Sequence, residues 1–277
     1  MHTADKIIAG SIGLWWRGTP RLNEQKVGCL GGFDSITPDL LDECESQLRE
    51  AGCTLAIGPM MGNTWRKHRA VIESSGREPF LFEPFTAPEV ARCLHDSGYQ
   101  TLMTYSSSLI DLGKQEDDPP RLLARLERAR IAIRPLCIDN LECELRRIFR
   151  LSLKAFTENF LYTPISEEEF LAMYLNLAPL LTPQCAFLAE CHGELVGFVF
   201  GFPQETTMIV KTLAVLPERR FAGLGTVLVN RMQTAAREAG CTEAIHALQR
   251  EDNQSLRISQ RFSAQIFRRY ALFSKSL

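Results

Sequence analysis

Arg219, Arg220, Gly223 and Gly225, in the run Leu216-Pro217-Glu218-Arg219-Arg220-Phe221-Ala222-Gly223-Leu224-Gly225-Thr226, are residue types able to hold a phosphate. Glycines let backbone amides approach an anion closely, and arginines add formal charge. A helix beginning at the same point would add unpaired N–H groups and the positive end of its dipole. The Arg-x-x-Gly-x-Gly spacing carries weight only if a strand leads into it and a helix leads out. Both conditions are met in the sequence: Thr207 to Val215 is rich in β-branched and apolar residues, and Leu224, Leu228, Met232, Ala235 and Ala239 form one helical face.

The elements that must position this loop have a second copy. Arg49 to Gly58 reads REAGCTLAIG and Arg237 to His246 reads REAGCTEAIH, which points to one fold unit used twice. At the same offset, Gly31-Gly32-Phe33-Asp34-Ser35-Ile36-Thr37 stands opposite the phosphate loop, with no arginine and with an aspartate that would repel phosphate. The first copy is therefore expected not to bind the anion. Before the acidic, proline-closed stretch Gly113 to Pro120 we read strands at 7–15, 26–33, 54–57 and 100–109 and helices at 38–51 and 88–97. After it come a basic helix at 121–130, a strand at 131–136, helices at 140–156 and 167–177, strands at 185–190, 194–201 and 207–215, a helix at 224–239, a strand at 242–247, a helix at 254–260 and a last strand at 265–273. Ser166 and Glu169 form a capping box, and Gly52 and Gly240 each end a helix. The fold class is α/β, a mixed, mainly antiparallel sheet flanked by helices. Domains are expected at 1–112 and 131–277, with 113–130 as linker and short helix.

Composition narrows the class. A net charge of -2 over 277 residues sets up no field for nucleic acid or an anionic membrane. No apolar run approaches the roughly 20 residues of a membrane span, and the opening MHTADKIIAGSIGLWW lacks a secretory pattern. Nine scattered cysteines with no Cys-x-x-Cys pair suit a reducing compartment, and five dispersed histidines give no metal-ligand spacing. A cytoplasmic protein with no metal site is expected.

With its strand and helix, Arg220-Phe221-Ala222-Gly223-Leu224-Gly225 resembles the pyrophosphate loop of the GNAT superfamily of acyl-CoA N-acyltransferases, [Gln/Arg]-x-x-Gly-x-[Gly/Ala]. The resemblance extends in element order over 131–277, and the N-terminal half resembles a degenerate unit lacking its opening elements, so tandem GNAT-like units are expected. It implies acetyl-CoA as acyl donor. Backbone of Leu213, Ala214 and Val215 would pair with the pantetheine arm. Arg219, Arg220 and the amides of Phe221, Gly223, Leu224, Gly225 and Thr226 would hold the pyrophosphate, and Asn253 would contact the cofactor arm. The family's tyrosine general acid is replaced here by Gln260, leaving Tyr270 or Ser259 to substitute.

Amine attack on a thioester needs a neutral amine, a route for its proton and a polarised carbonyl. The candidate bases are His246, whose ordinary pKa lies near 6.5, then Glu205 and Glu190. For His246 a core histidine bonded to backbone is an equal expectation, and for Tyr270 a half-buried strand aromatic is the stronger one. The acceptor is expected to be a small-molecule amine. Two other readings compete: a CoA-binding regulatory protein without turnover, and a transferase using an aminoacyl-tRNA donor. The second has only the basic strip Arg121, Arg125, Arg128 and Arg130 in its favour.

Overall fold

A computed structural model describes residues 3–9, 12–33, 36–115, 117–252 and 254–277. In chain order the elements are β1 (Lys6–Ile8), β2 (Ile12–Trp15), β3 (Arg21–Leu22), β4 (Gln25–Gly31), α1 (Pro38–Glu50), β5 (Leu55–Gly58), β6 (Ala70–Ser74), α2 (Pro88–Asp96) and β7 (Gln100–Asp111). They continue with α3 (Pro120–Arg128), β8 (Ile131–Pro135), α4 (Leu141–Ala155), α5 (Glu167–Leu175), β9 (Ala186–Cys191), β10 (Glu194–Gln204), β11 (Thr207–Val215), α6 (Leu224–Glu238), β12 (Glu243–Arg250), α7 (Gln254–Arg261) and β13 (Gln265–Ser276). The chain divides into two compact units. The first holds Met1–Ser106, Asn159–Thr163 and Phe267–Leu277, and the second Ser107–Glu158 and Pro164–Ile266. Among the described residues no helix is long and apolar enough to cross a membrane.

In the first unit, strands run in the order β1-β2-β4-β5-β13, with β3 beside β4 and β6 beside β13. Only β4 and β5 of these pairs are parallel, Val27 facing Leu55 and Cys29 facing Ile57. The helix between them, α1, buries Leu41, Cys44 and Leu48 against Leu14, Leu30 and Ala56. Two readings from sequence are corrected here. The strand expected over 7–15 is a hairpin in which Ile8 faces Ile12, and Ala9 takes a left-handed turn conformation. The last strand, expected to finish the second domain, belongs to the first unit because Ala271 and Phe273 fill its core and its residues pair with β5 and β6.

In the second unit the order is β12-β11-β10-β9-β8, antiparallel except for β11 with β12. Leu224, Leu228 and Met232 of α6 pack onto Phe187, Val199 and Met208 of the sheet, joined by Leu126 of α3. On β8 and β9, Arg134 bonds Glu144 of α4 at 2.9 Å and Glu190 at 2.7 Å, and Arg147 of α4 also reaches Glu190 at 2.7 Å. At the start of the stretch expected as linker and short helix, Leu112 N–H donates to Thr242 O (3.0 Å), and Gln115 Nε2 donates to Asn230 O (3.0 Å) and Thr234 Oγ1 (3.1 Å).

The repeat is visible as structure. β4-α1-β5 and β11-α6-β12 are both parallel β-α-β units, and their helices end identically. Gly52 and Gly240 sit at positive φ, with Cys53 N–H on Leu48 O and Cys241 N–H on Ala236 O, both 2.9 Å. These are 6→1 Schellman bonds that only a left-handed residue permits cheaply.

Candidate functional site

β11 and β12 separate part-way along their length. Pairing runs from Thr207 with Glu243 to Val210 with His246 and then stops. On its other edge β11 stays on β10, but the register slips so that Phe200 faces Thr212 while Gly201 faces Val210, leaving Lys211 as an extra residue. Such a bulge bends a strand and raises its twist, which is how β11 leaves β12 without leaving β10. Leu216 N–H donates to Val196 O on β10 at 2.9 Å. Because backbone groups alternate in direction along a strand, Ala214 also faces β10, and Leu213 and Val215 face the gap. Of Leu213, Ala214 and Val215, expected to meet a pantetheine arm, the first and last present backbone to the gap and Ala214 does not.

The loop follows directly. A single 3-10 turn at Arg219–Phe221 leads to Gly223, which caps α6 at φ 87. The amides of Phe221, Ala222 and Thr226 are already bonded, to Glu218 O (2.9 Å), Arg219 O (3.2 Å) and Gly223 O (3.1 Å). Those of Gly223, Leu224 and Gly225 have no hydrogen-bond acceptor among the described residues, as the first donors of a helix must lack one inside it. The expected cradle is thus narrower: Phe221 and Thr226 serve the loop itself. Gly225 is needed for room, since a Cβ there would stand 3.2 Å from Ile258 Cδ1 and 3.3 Å from Leu213 Cδ2. Arg219 is exposed. Arg220 lies 4.6 Å over the Phe221 ring with Nε 2.7 Å from Glu218.

A family model described as the acetyltransferase (GNAT) family matches residues 145–261, a span holding the splayed strands and the loop. Over residues 145–261 the chain is similar to the GNAT family. A GCN5-related N-acetyltransferase from Sphaerobacter thermophilus superimposes on the chain with a TM-score of 0.60 at 15% identity, covering 96% of this chain and 76% of that one. A tandem GNAT protein from the clavulanic acid biosynthesis pathway gives 0.52 at 13%, covering 90% and 75%. A GCN5-related N-acetyltransferase from Kribbella flavida gives 0.50 at 13%, covering 99% and 90%. At these identities the likeness is one of fold, with a mixed α/β architecture and tandem GNAT-like units. No curated protein matches the chain in sequence.

The structure treats the expected catalytic residues unevenly. His246 is 4% exposed. Gln233 of α6 donates Nε2–H to its Nε2 (2.8 Å), which makes Nε2 the acceptor and leaves the ring proton on Nδ1, donated to Ser259 Oγ of α7 (2.6 Å). Burial pushes the ring's pKa down to about 4. A base needs an open lone pair, and His246 has none; it pins α6, β12 and α7 together. Ser259, also buried, further accepts Gln249 Nε2–H at 2.7 Å. Glu205 sits exposed in the β10–β11 turn at φ 53. The nine residues of β11 hold it about 30 Å from the loop end of that strand. Burial raises the Glu190 carboxyl, but hydrogen bonds from Arg134 and Arg147 outweigh it and hold the group below its usual range as a structural anion. Tyr270 lies in the first unit, fully buried, its hydroxyl donating to Glu83. Asn253 lies outside the described residues. Gln233 escaped the sequence reading, although a glutamine beside Met232 in an apolar helix was a visible signal.

The first copy starts its helix differently. Thr37 caps α1 with its own hydroxyl, accepting Leu40 N–H at 3.4 Å, and Pro38 in the first turn has no N–H to offer. Asp34 and Ser35 lie outside the described residues.

Proposed function

We propose that this protein is a cytoplasmic acyltransferase moving an acyl group, acetyl first among candidates, from a CoA thioester to the amine of a small molecule. One observation carries the reading. The open edge of β11 at Leu213 and Val215 runs straight into three uncommitted amides at the start of the 15-residue α6. An extended amide-bearing arm followed by a diphosphate suits that order of groups, edge first and anion cradle second. When bound, CoA supplies an activated acyl carbonyl. For the protein's own residues, Leu213 and Val215 orient the arm and offer an N–H to polarise a carbonyl, and Gly223, Leu224 and Gly225 neutralise phosphate. Leu213 and Ile258, packed at Gly225, keep water from the join. With His246 and Ser259 closed on each other, the proton of the acceptor is left to solvent.

Isothermal titration with acetyl-CoA, followed by thiol release against a panel of amines, tests the reading. Binding with release supports it, and no binding sinks it. Binding without release on any amine favours the second reading, a CoA-responsive protein without turnover. The occupied nitrogens of His246 and the commitment of Tyr270 to Glu83 count in that reading's favour.

A further inference from the structure

The basic stripe of α3 has no task in the proposed reaction, yet the structure brings part of it to the phosphate loop. Leu126 is buried in the second unit's core and Leu122 packs against it, and this seating decides which side of α3 meets the loop. Arg125 lies three residues past Leu122 on an adjoining face. Its Nη2 is 3.0 Å from the point that a Cβ on Gly223 would occupy, and Leu122 Cδ1 is 2.6 Å from the same point. The guanidinium therefore borders the residue that opens the cradle.

Two neighbouring cations are already engaged. Arg220 is paired with Glu218, and Arg128 turns back to donate to Ala124 O at 3.2 Å. Arg125 is exposed and its side chain makes no hydrogen bond or ion pair with any described residue. A planar group with five donors thus stands beside three amides without acceptors, at the positive end of a helix. Among the described residues no carboxylate bonds to Arg125 or to these amides, whereas a diphosphate would accept from both sources in charge-assisted bonds.

We propose that Arg125, which lies before the family match at 145–261, is a binding residue for the cofactor's pyrophosphate at Gly223–Gly225. The proposal rests on the CoA reading above. The test is isothermal titration of the full chain with acetyl-CoA and with its 3′-dephospho form, using wild type, Arg125→Gln and Arg128→Gln, with thermal melts of each. Expected is a loss of about tenfold in affinity for Arg125→Gln with both ligands, the size of one partly exposed charge-assisted bond. Arg128→Gln should stay within about twofold, and the Arg125→Gln melting midpoint should not move. Wild-type affinity in Arg125→Gln overturns the proposal and leaves the CoA reading intact. So does an equal loss in Arg128→Gln, which makes the effect one of net charge, or a loss confined to acetyl-CoA, which moves the contact to the 3′-phosphate. A wild type that binds neither ligand overturns the CoA reading and this proposal together.

Discussion

His246 makes the second unit sensitive to acid. Burial lowers its pKa from 6.5 to about 4, so between those values an unfolded chain takes up a proton that the native ring refuses. Stability is then full above about pH 6.5 and falls as pH drops toward 4, by on the order of 3 kcal/mol for this group. Urea midpoints of wild type and His246→Gln from pH 7.5 to 4.5 measure it, and equal slopes in the two proteins would assign the acid loss elsewhere. Arg268 is the matching case in the first unit. Its Nη1 lies 2.6 Å from Glu83, and both side chains are fully buried. Arg268→Met leaves the carboxylate without its cation and should cost about 3–5 kcal/mol, whereas adding Glu83→Leu should recover most of that. A denaturant series on the single and double variants reads both values. Neither role was legible from residue type alone: a histidine and an arginine on strands announce charge, and only their neighbours say whether it is used.

At the scale of elements the two β-α-β copies separate by how each helix starts. Thr37 and Pro38 close the N-terminus of α1, and Gly223 leaves that of α6 open. Gly223→Asp should lower acetyl-CoA affinity by a hundredfold or more, because its carboxylate would stand where phosphate is held and its φ of 87 strains any side chain. Thr37→Asp keeps a capping residue and should leave affinity unchanged. Titration of both variants beside their melts checks the pair, and an equal loss in each would erase the division of roles. Helix boundaries were readable because caps are local: Ser166 accepts Glu169 N–H at 3.2 Å as its capping box implied. Short strands were harder. β6, five residues with only Ala70 and Val71 buried, has too little alternation to read, and the split of β1 from β2 turns on the backbone of Ala9.

For the molecule as a whole, each unit has its own core, yet the chain does not divide at one point. Asn159–Thr163 and Phe267–Leu277 return to the first unit. A single working cradle predicts a stoichiometry near one acetyl-CoA per chain by isothermal titration, and a value near two would mean that the first copy binds as well.

The sequence by itself determined the strand-loop-helix unit around Arg219–Gly225 and most helices, since each depends on residues within one or two turns of each other. Hydrophobic spacing, caps and glycines act over that range. Only tertiary structure decided the rest. The bulge at Lys211 opens the strands, β13 changes units, His246 is enclosed, and Arg125 is set beside Gly223. Each depends on contacts between segments distant in sequence, where burial and hydrogen-bond partners outweigh local preference.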